Sequence, residues 1–578
     1  MRSAGWPLYL VQVLCLCLCR IGAGRDLRVL QRRNLDQLNS TVGGRLRASQ
    51  PLAAPCYQEP DGEACASYRE ALSSGKPAFY RTSRYEGFQY LQGEACASRP
   101  SDQCMLDPAT LEPVQNSTCG LGVLSPTYLE ITGADDVQAV FAYARRTGTA
   151  LSIKNSGHDY VGRSSRRGSL AIWTRGLRNM TYDASFLPDG ATYRVHPVPA
   201  LTLGAGVSTD ESYDFAHSKG VLFAGPVVGS IGPVGGWSLN GGNGVLTGSR
   251  GLGADRLLQS TIVTPDGEVR IANKYTNTDL YWALRGGGGG AFGVVLDSTF
   301  EVEPERPITA ATIFFPGTAD NQRPFVDILA QNMVRWSLEG WGGPSGTNLT
   351  FLSNPYLNEK EAALSLAPAI EYATSQGGSA AISVWPTYYE YYVAVVNGSL
   401  AAPEPISNAG LITSRTISVE VLSNTASRER VVDTIMASQN AGVPVNMLTT
   451  PPLRYAADHE GAEEEVSMHS AWYESAWLVV AQTAFTPSTP LSVRETLASS
   501  LHNVTLALDA ASPDGATYGN EADWWLQDWA EHIWGAKYAR LLDIKKFIDP
   551  DGLLACWHCV GWEDSLPGYE CLADLSPY

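Results

Sequence analysis

Two stretches of the sequence combine residue types that could hold a ligand and bond to it. His158 lies in the polar turn Ser156–Tyr160, directly after the largely apolar run Ala150–Asn155. Further along, seven glycines occur among residues 229–244, and glycine lets backbone approach a ligand closely. A lone histidine is most often a structural or surface residue, so His158 becomes a candidate only through this second stretch. Together they predict a large planar, phosphorylated ligand lying against the glycines, with His158 as its covalent attachment.

Glycine-rich runs have two simpler interpretations, and the flanking residues argue against both. A flexible linker would not carry large apolar residues. The run nevertheless contains four of them: Ile231, Val234, Trp237 and Leu239. A second frame, over 288–293, matches the dinucleotide-binding fingerprint, which must follow a strand and open a helix. Here the frame follows the predicted helix Tyr281–Arg285 and opens the predicted strand Val294–Val302, so we reject that interpretation.

The elements before His158 predict how the histidine is positioned. A strand over Tyr128–Ile131, a helix capped by Asp135 and a strand over Ala150–Lys154 follow one another. They form a β-α-β unit, and its second strand ends at the histidine turn.

The later part of the chain predicts further mixed structure. Gln259–Pro265 and Glu268–Ala272 flank an Asp-Gly pair and predict a β-hairpin. Residues 308–510 alternate strands with helices, and Trp524–Phe547 predicts one long amphipathic helix. Strands and helices mixed in this way indicate an α+β fold class with helices on one face of a sheet.

The net charge indicates which partners the protein lacks, and the N-terminal pattern indicates where it acts. The chain has 41 Lys and Arg against 59 Asp and Glu, a net charge of −18. This argues against nucleic acid and membrane surfaces as partners, because both are bound by basic patches. Residues 1–24 have the pattern of a secretory signal, with Arg2 before the apolar run Leu8–Cys19, which is too short to span a bilayer. We expect a secreted protein; an uncleaved anchor is the alternative.

Cysteines and glycosylation sequons agree with export. Eight of the eleven cysteines follow residue 24, an even number typical of disulfides in exported chains. Five lie within 56–119 and three within 556–571, so if all pair, at least one bridge joins the two ends. Cys556 and Cys559 lack a second pair of ligands, and we expect no metal site. Six sequons predict N-glycans on surface loops: Asn39, Asn116, Asn179, Asn348, Asn397 and Asn503.

Several motifs, taken in order, resemble those of one known family. They are the Ser-Gly-His-Asp-Tyr turn, the glycine run at 225–244, Gly253-Ala-Asp255, the loop Arg285–Gly293, and Asn520-Glu-Ala-Asp523 followed by residues 537–546. In this combination the chain resembles the FAD-linked oxidases of the vanillyl-alcohol oxidase superfamily. It is most similar to the berberine-bridge-enzyme-like branch, with its secreted, isoamyl-alcohol-oxidase-like fungal members. The likeness runs from about residue 120 to the C-terminus.

The resemblance implies a division of the chain into five parts. After the signal peptide 1–24, residues 25–119 would form an N-terminal arm and disulfide-rich lead-in. Residues 120–305 would form a PCMH-type FAD-binding domain of two subdomains. Residues 306–510 would form a substrate domain, with an antiparallel sheet covered by helices. Residues 511–578 would return to complete the FAD domain.

The resemblance also implies FAD as the cofactor, bonded covalently through His158. Lys154, Asn155, Ser156 and Gly157 match the loop around the pyrophosphate, a group that prefers backbone N–H donors. A histidyl bond raises the flavin potential, which favours oxidation of difficult substrates such as alcohols. The other residues expected near the cofactor are Ser164, Gly225, Gly235, Gly236, Asn240, Gly241, Gly242, Asp255 and Asn520.

The chain departs from the family pattern at three points. Many relatives hold the flavin by a second bond to a cysteine, but residues 227–233 contain none, so we predict a single histidyl linkage. Trp237 stands where relatives often have a histidine. The strand Trp477–Ala481, which often supplies a general base in relatives, carries no carboxylate.

Other residues are therefore candidates for the base. Tyr389 and Tyr391 would share one face of a tyrosine-rich strand over 388–392, although an aromatic core explains that stretch equally well. Any base must come within about 3 Å of the substrate hydroxyl. Further candidates near the flavin or the substrate are Trp237, His469, Trp472, Tyr473 and His558.

The sequence thus predicts a secreted FAD-dependent oxidase whose partners are a small-molecule substrate and O2. The substrate would lose hydride from an alcohol or another natural-product C–H position, and O2 would reoxidise the flavin to give H2O2. Secondary-metabolite biosynthesis is one setting for such chemistry. The alternatives are a carbohydrate oxidase, a ring-forming or desaturating tailoring enzyme, and a flavin-binding protein whose catalysis has decayed.

Overall fold

The computed structural model describes residues 33–74, 77–192, 194–400 and 408–575. The predicted signal peptide and the start of the arm lie outside them. The strands, numbered in chain order, are β1 Leu46–Ala48, β2 Thr127–Glu130, β3 Leu151–Lys154, β4 Leu170–Trp173, β5 Met180–Phe186, β6 Val198–Gly204, β7 Val221–Leu222, β8 Leu257–Val263, β9 Val269–Asn273, β10 Val294–Glu301, β11 Glu303–Pro304, β12 Ile308–Phe314, β13 Gly343–Ser345, β14 Leu349–Asn354, β15 Ser379–Trp385, β16 Ala409–Ser418, β17 Val445–Thr449 and β18 Ser475–Phe485.

The α-helices alternate with these strands. They are Ala54–Gln58, Glu63–Leu72, Pro77–Thr82, Ala134–Thr147, Thr209–Ser218, Thr247–Arg250, Gly253–Arg256, Thr278–Leu284, Gln322–Leu338, Glu359–Ser365, Ala367–Ser375, Tyr388–Tyr391, Val419–Ser423, Thr425–Asn440, Leu453–Asp458, Leu491–Ala511, Trp529–Trp534, Tyr538–Ile548 and Glu570–Ala573. In the described part of the chain, none of the helices has both the length and the apolar character that crossing a bilayer requires.

The histidine turn follows β3 in a four-stranded sheet ordered β1-β2-β4-β3. Strands β2 and β3 both pair in parallel with β4, and helix Ala134–Thr147 connects them and packs on the sheet. This confirms the predicted β-α-β unit. The predicted cap was wrong, because the N-cap residue is Gly133 and Asp135 lies within the first turn. Asp136, also in the first turn, accepts the Thr132 N–H.

A second sheet of five antiparallel strands, ordered β5-β6-β10-β8-β9, lies beside the first. Strands β8 and β9 form the predicted hairpin, and the Asp266 carboxylate accepts the Glu268 N–H in its turn. Val263 of β8 and Val294 of β10 share an apolar core with helix Ala134–Thr147. The two sheets therefore pack around one helix, which fixes the end of β3 relative to the second sheet.

The third sheet has seven antiparallel strands ordered β15-β12-β14-β13-β17-β18-β16. Helices cover one face, as the sequence predicted, and the other face borders a cavity. Strand β18 shows the division, because side chains alternate between the faces of a strand. Val479 and Ala481 pack into the main core, whereas Val480 and Gln482 line the cavity.

The predicted long helix over Trp524–Phe547 was wrong. Two shorter helices are present, Trp529–Trp534 and Tyr538–Ile548, separated by a tight turn that begins at Gly535. Gly535 has a φ of +57°, and a Cβ there would lie 2.7 Å from His469 Nε2. The left-handed backbone and the close ring explain why the chain breaks at this glycine.

Disulfides join the two ends of the chain, as the cysteine count predicted. Cys96 pairs with Cys571, which is 475 residues away. The other bridges are local: Cys56–Cys65, Cys104–Cys119 and Cys556–Cys559. Arg99 and Asp574 form an ion pair beside the long-range bridge. The C-terminal segment is thus attached to the lead-in that precedes the first large strand.

Replacing Cys96 and Cys571 together by serine should lower the free energy of unfolding by about 2–5 kcal/mol, because a long closed loop restricts the unfolded chain. The matched control replaces Cys56 and Cys65, which are 9 residues apart rather than 475. Thermal unfolding followed by circular dichroism should show a larger loss for the first pair. Equal losses would contradict this prediction.

Candidate active site

A large cavity lies where the four-stranded sheet, the seven-stranded sheet and the C-terminal segment meet. Its volume of about 730 Å³ falls within the range typical of small-molecule and cofactor sites. Its walls come from the histidine turn, residues 226–245, residues 289–295, strands β13, β14 and β16–β18, and residues 518–521 and 554–556.

His158 lines this cavity, and its ring is held in one orientation. Its Nε2 lies 2.7 Å from Ser230 Oγ, so the serine hydroxyl is within hydrogen-bond distance of the ring. Burial, together with the positive charge of Lys154, lowers the pKa of His158 to about 3. The ring is therefore neutral at physiological pH and keeps the nitrogen lone pair that covalent attachment to a cofactor requires.

Hydrogen bonds from distant segments hold the histidine turn. The Gln89 N–H donates to Gly157 O at 3.1 Å, and Asn520 Nδ2 donates to His158 O at 3.2 Å. Gly157 has a φ of +88°, and a Cβ there would lie 2.8 Å from Lys154 Cε. Only glycine suits this position, because the backbone is left-handed and the Lys154 side chain leaves no space for a Cβ.

Lys154 does not face the cavity, so its predicted place at the pyrophosphate was wrong. Side chains alternate along β3, and Ile153 and Asn155 line the cavity while Lys154 points to the opposite face. Its Nζ donates to the carbonyl oxygens of Arg84, Tyr85 and Gly87 at 2.6, 2.9 and 2.6 Å. Lys154 therefore anchors the turn from behind.

Glycines form two facing stretches of the cavity wall. Gly235 and Gly236 belong to the predicted glycine run, and Gly289 and Gly290 belong to the loop before β10. A Cβ built on Gly289 would lie 3.3 Å from Gly236 Cα, so the stretches are adjacent. A Cβ on Gly236 meets nothing within 4 Å and would project into open space. Such a backbone cradle suits the phosphates of a cofactor, because it presents N–H groups without side chains.

The sequence did not identify Gly289 and Gly290 as cofactor residues. They occur in the frame that was rejected as a dinucleotide fingerprint, and the rejection was correct, since helix Thr278–Leu284 precedes the loop and β10 follows it. The glycine density itself was the signal, because it marks close backbone approach whatever the flanking elements are.

The structure brings most of the predicted cofactor residues together. Those that line the cavity are Asn155, Ser156, Gly157, His158, Ser164, Gly235, Gly236, Asn240 and Asn520. Those that do not are Lys154, Gly225, Gly241, Gly242 and Asp255.

The remaining glycines and Asp255 lie behind the wall. A Cβ on Gly241 would lie against Met468, and one on Gly242 would lie 3.0 Å from the Trp237 ring. Asp255 accepts the Leu252 N–H and the Tyr473 hydroxyl, and burial raises its pKa. These residues pack and shape the wall instead of contacting a ligand.

The predicted catalytic tyrosines lie outside the cavity, because their segment is a helix and not a strand. Tyr388–Tyr391 forms a helix whose first N–H groups are capped by the Thr387 hydroxyl. The Tyr389 hydroxyl donates to Asp214, and Tyr391 packs against Trp385. These contacts agree with the alternative interpretation, in which this stretch is part of an aromatic core.

The other predicted catalytic residues divide between wall and interior. Trp237 lines the cavity, and its Nε1 donates to Asn243 O at 2.8 Å. His469 lies outside it; its Nδ1 accepts the Ala471 N–H, and burial lowers its pKa to about 4. The further candidates Trp472, Tyr473 and His558 are also absent from the cavity wall.

One carboxylate in the cavity wall was missed by the sequence analysis. Glu521 follows Asn520, and its Oε2 is buried with no hydrogen-bond partner among the described residues. Burial raises the pKa of Glu521 to about 8. The signal was present, because Glu521 belongs to the Asn-Glu-Ala-Asp motif, but the sequence does not show which way its side chain points.

The wall formed by the third sheet is neutral. Its strands contribute the amides Asn446 and Gln482 and the apolar residues Phe351, Leu448 and Val480. Two further amides line the cavity beside it: Asn348 in the turn between β13 and β14, and Gln439 in helix Thr425–Asn440. Among the described residues, the charged side chains that line the cavity are Asp159, Arg163 and Glu521, and none belongs to this sheet. A neutral, partly polar molecule is the ligand that such a wall suits.

Comparison with known proteins identifies the family. Residues 126–273 match the FAD binding domain family, and residues 517–556 match the berberine and berberine-like family. The FAD-linked oxidoreductase cheF of Chaetomium globosum is 38% identical over 577 residues, covering 98% of this chain and 92% of that protein. The chain belongs to the berberine-bridge-enzyme-like branch of the vanillyl-alcohol oxidase superfamily. It is an FAD-linked oxidoreductase, as the resemblance implied.

Solved structures confirm the fold class. A VAO-type flavoprotein from Myceliophthora thermophila C1 superposes with a TM-score of 0.75 at 26% identity, covering 92% of this chain and 95% of that one. The glucooligosaccharide oxidase from Acremonium strictum, which carries a cysteinyl and histidyl FAD, gives a TM-score of 0.62 at 17% identity. That alignment covers 76% of this chain and 92% of the oxidase.

The cavity fits FAD in its shape and in its chemistry. Gly235, Gly236, Gly289 and Gly290 offer a cradle free of side chains, and His158 offers a neutral ring nitrogen in the same wall. These residues would hold the cofactor, which supplies two-electron redox chemistry when bound. The third sheet contributes further residues to the same cavity wall.

Replacing Gly236 by leucine should lower the flavin-to-protein ratio by about tenfold or more, because overpacking a site costs about 1–3 kcal/mol. The side chain would enter open space, so the folded protein should keep its thermal stability. Gly133→Leu is the matched control, since a Cβ there also meets nothing within 4 Å and Gly133 is not in the cavity wall. Full flavin loading of the Gly236 variant, read from absorbance, would contradict the proposed cradle.

Proposed function

We propose that the protein is a secreted oxidase that oxidises neutral alcohols, or related C–H positions of natural products, with O2 as the acceptor. The observation that carries this proposal is that one cavity is lined by His158, by the glycine cradle and by a set of amide and apolar side chains. Family membership supports the redox class, and the neutral wall supports the substrate class.

The reaction would convert an alcohol and O2 into a carbonyl compound and H2O2. Bound FAD supplies the oxidant that takes a hydride from the substrate carbon and is reoxidised by O2. The chain's own residues bind and orient the substrate: Asn446 and Gln482 offer hydrogen bonds to its polar groups. Ile412, Leu448 and Val480 enclose its apolar part and exclude water from the reacting atoms.

A single bond through His158 would hold the flavin. Val227, Val228 and Ile231 occupy the cavity wall over the stretch where many relatives carry a cysteine. Each described cysteine is in a disulfide, and Cys556, which lines the cavity, is bonded to Cys559. The described residues therefore offer no free thiol for a second linkage.

His158→Ala should abolish covalent attachment, so that acid precipitation leaves the flavin in solution. Ser230→Ala is the control, because it removes only the hydroxyl near His158 Nε2 and leaves the reactive ring in place. The wild type and the Ser230 variant should keep the flavin mass on the peptide that contains residue 158, as mass spectrometry would show. Flavin retained by His158→Ala would refute the assignment.

Secretion is supported by the N-terminal pattern, the disulfides and the sequons. Asn116, Asn179 and Asn503 are exposed and accessible to glycosylation. Asn39, Asn348 and Asn397 are only half-exposed, and the Asn348 side chain donates to Phe315 O at 2.9 Å. We propose that the exposed sites carry glycans.

A panel of primary alcohols, sugars and phenolic metabolites should identify the substrate class. Neutral alcohols should bleach the flavin absorbance under anaerobic conditions and release H2O2 in air. Faster reduction by sugars would favour the carbohydrate oxidase alternative. Carboxylate and amine analogues of the best alcohol should react poorly, because the sheet wall offers them no opposite charge. If no compound bleaches the flavin, the proposed function is wrong.

A further inference from the structure

The two carboxylates in the cavity wall differ in how they are satisfied. Asp159 accepts the Val161 N–H at 3.1 Å and the Ser164 N–H at 2.6 Å, so both of its oxygens have a donor. Glu521 Oε2 is buried and has no partner among the described residues. The Ser414 hydroxyl is a side-chain donor to the Glu521 carboxyl, and it opposes the burial that raises the pKa of this group. A buried carboxylate oxygen that still lacks a donor is costly and therefore uncommon.

Two other buried acidic groups have a cationic partner: Glu94 pairs with the Arg81 guanidinium, and Asp549 pairs with Lys545 at 2.7 Å. Asp255 has no ion pair in the described part of the chain but accepts the Leu252 N–H and the Tyr473 hydroxyl, one on each oxygen. Glu521 has no ion pair among the described residues, and its Oε2 has no donor either. Fold stability does not explain its presence, since an amide or an apolar side chain would avoid the cost of burying it.

The position of Glu521 lies between the cofactor attachment and the substrate wall. Its neighbour Asn520 binds the carbonyl oxygen of His158 at 3.2 Å. Its own backbone oxygen accepts from Ser414 Oγ of β16 at 3.3 Å, and Ile412 of the same strand lines the cavity. The backbone at Glu521 is thus held on two sides, at the junction of the histidine turn and the third sheet.

We propose that Glu521 is the general base of the oxidation. This inference rests on the proposed function, because it requires a substrate hydroxyl. The hydroxyl O–H bond breaks and its proton moves to Glu521 Oε2, while the electron pair of the C–H bond leaves as hydride to the flavin. The oxygen then forms the carbonyl double bond. Together the hydride and the proton would reduce O2 to H2O2, so atoms and charge balance.

A general base must be ionised before it can accept the substrate proton. Burial raises the pKa of Glu521 to about 8, so ionised base accumulates as the pH rises through that value. Burial lowers the pKa of His158 to about 3 and raises that of Tyr518, so these groups titrate well away from it. The titratable and charged residues on the elements around Glu521 are Lys154, His158, Asp159, Tyr160, Arg163, Arg415, Tyr518 and Asp523. Burial lowers the pKa of Lys154 to about 7, and Glu521→Gln keeps that lysine, so a pH dependence that is lost in this variant belongs to Glu521.

The test compares wild type, Glu521→Gln and the matched control Glu531→Gln. Glutamine keeps the shape of the side chain but cannot accept the proton, and Glu531 is exposed on the helix Trp529–Trp534. The probe is the panel alcohol that reduces the wild-type flavin fastest, and anaerobic flavin reduction is followed from pH 6 to 10. Flavin content and attachment are measured by absorbance and mass spectrometry, since Glu521→Gln should leave both unchanged.

The wild-type reduction rate should rise with pH and level off above about pH 8, as should the rate of Glu531→Gln. Glu521→Gln should reduce the flavin about 10²–10⁴-fold more slowly, without that rise. Infrared spectra should show a carboxylic-acid band that is lost through pH 8 in the wild type and missing in Glu521→Gln.

Three results would overturn the proposal. The first is a wild-type rate of flavin reduction that does not change from pH 6 to 10. This result is independent of whether any variant folds. The second is a Glu521→Gln rate and profile equal to wild type, which would leave the proposed function intact. The third is an unreduced wild-type flavin with every compound, which would refute the proposed function and this inference with it.

Discussion

The buried amino group of Lys154, whose pKa burial lowers to about 7, makes the hydrogen bonds on which the histidine turn depends. It ties the end of β3 to three carbonyl oxygens of residues 84–87, and the rings of Tyr85 and Phe88 lie around it. A donor group with several acceptors is expensive to displace once it is buried. The backbone that follows, including Gly157 and His158, therefore starts from a fixed point, and the lead-in before residue 119 helps to build the active site.

The same turn is held from the opposite side by the C-terminal segment. Asn520 binds the carbonyl oxygen of His158 and accepts the Tyr160 N–H, and Trp524 Nε1 donates to the Tyr160 carbonyl oxygen at 2.7 Å. Three segments far apart in sequence thus meet at one loop of five residues. The chemistry gains a rigid attachment point, and Glu521 is positioned by the contacts that hold the loop.

The sequence predicted the cofactor side of the site better than the substrate side, for a physical reason. Gly236 shapes the cavity through backbone geometry, and local glycine density records that geometry. His158 lies in a short motif next to this wall, so the sequence also identifies it. Lys154 was misplaced because a motif match does not show which face of β3 a side chain occupies. The predicted role of Tyr389 was wrong because an aromatic run fits either a helix or a strand. Here the Thr387 side chain caps a helix, so the segment is not a strand. Glu521 acquires its role from tertiary contacts, which no local pattern records.

The bridge between Cys96 and Cys571 has a consequence for biosynthesis. Cys571 leaves the ribosome 475 residues after its partner, and residues 518–521 and 554–556 of the cavity wall are also made long after the histidine turn. The cavity is therefore incomplete until these segments have been made, and it can bind FAD in its final form only after that point.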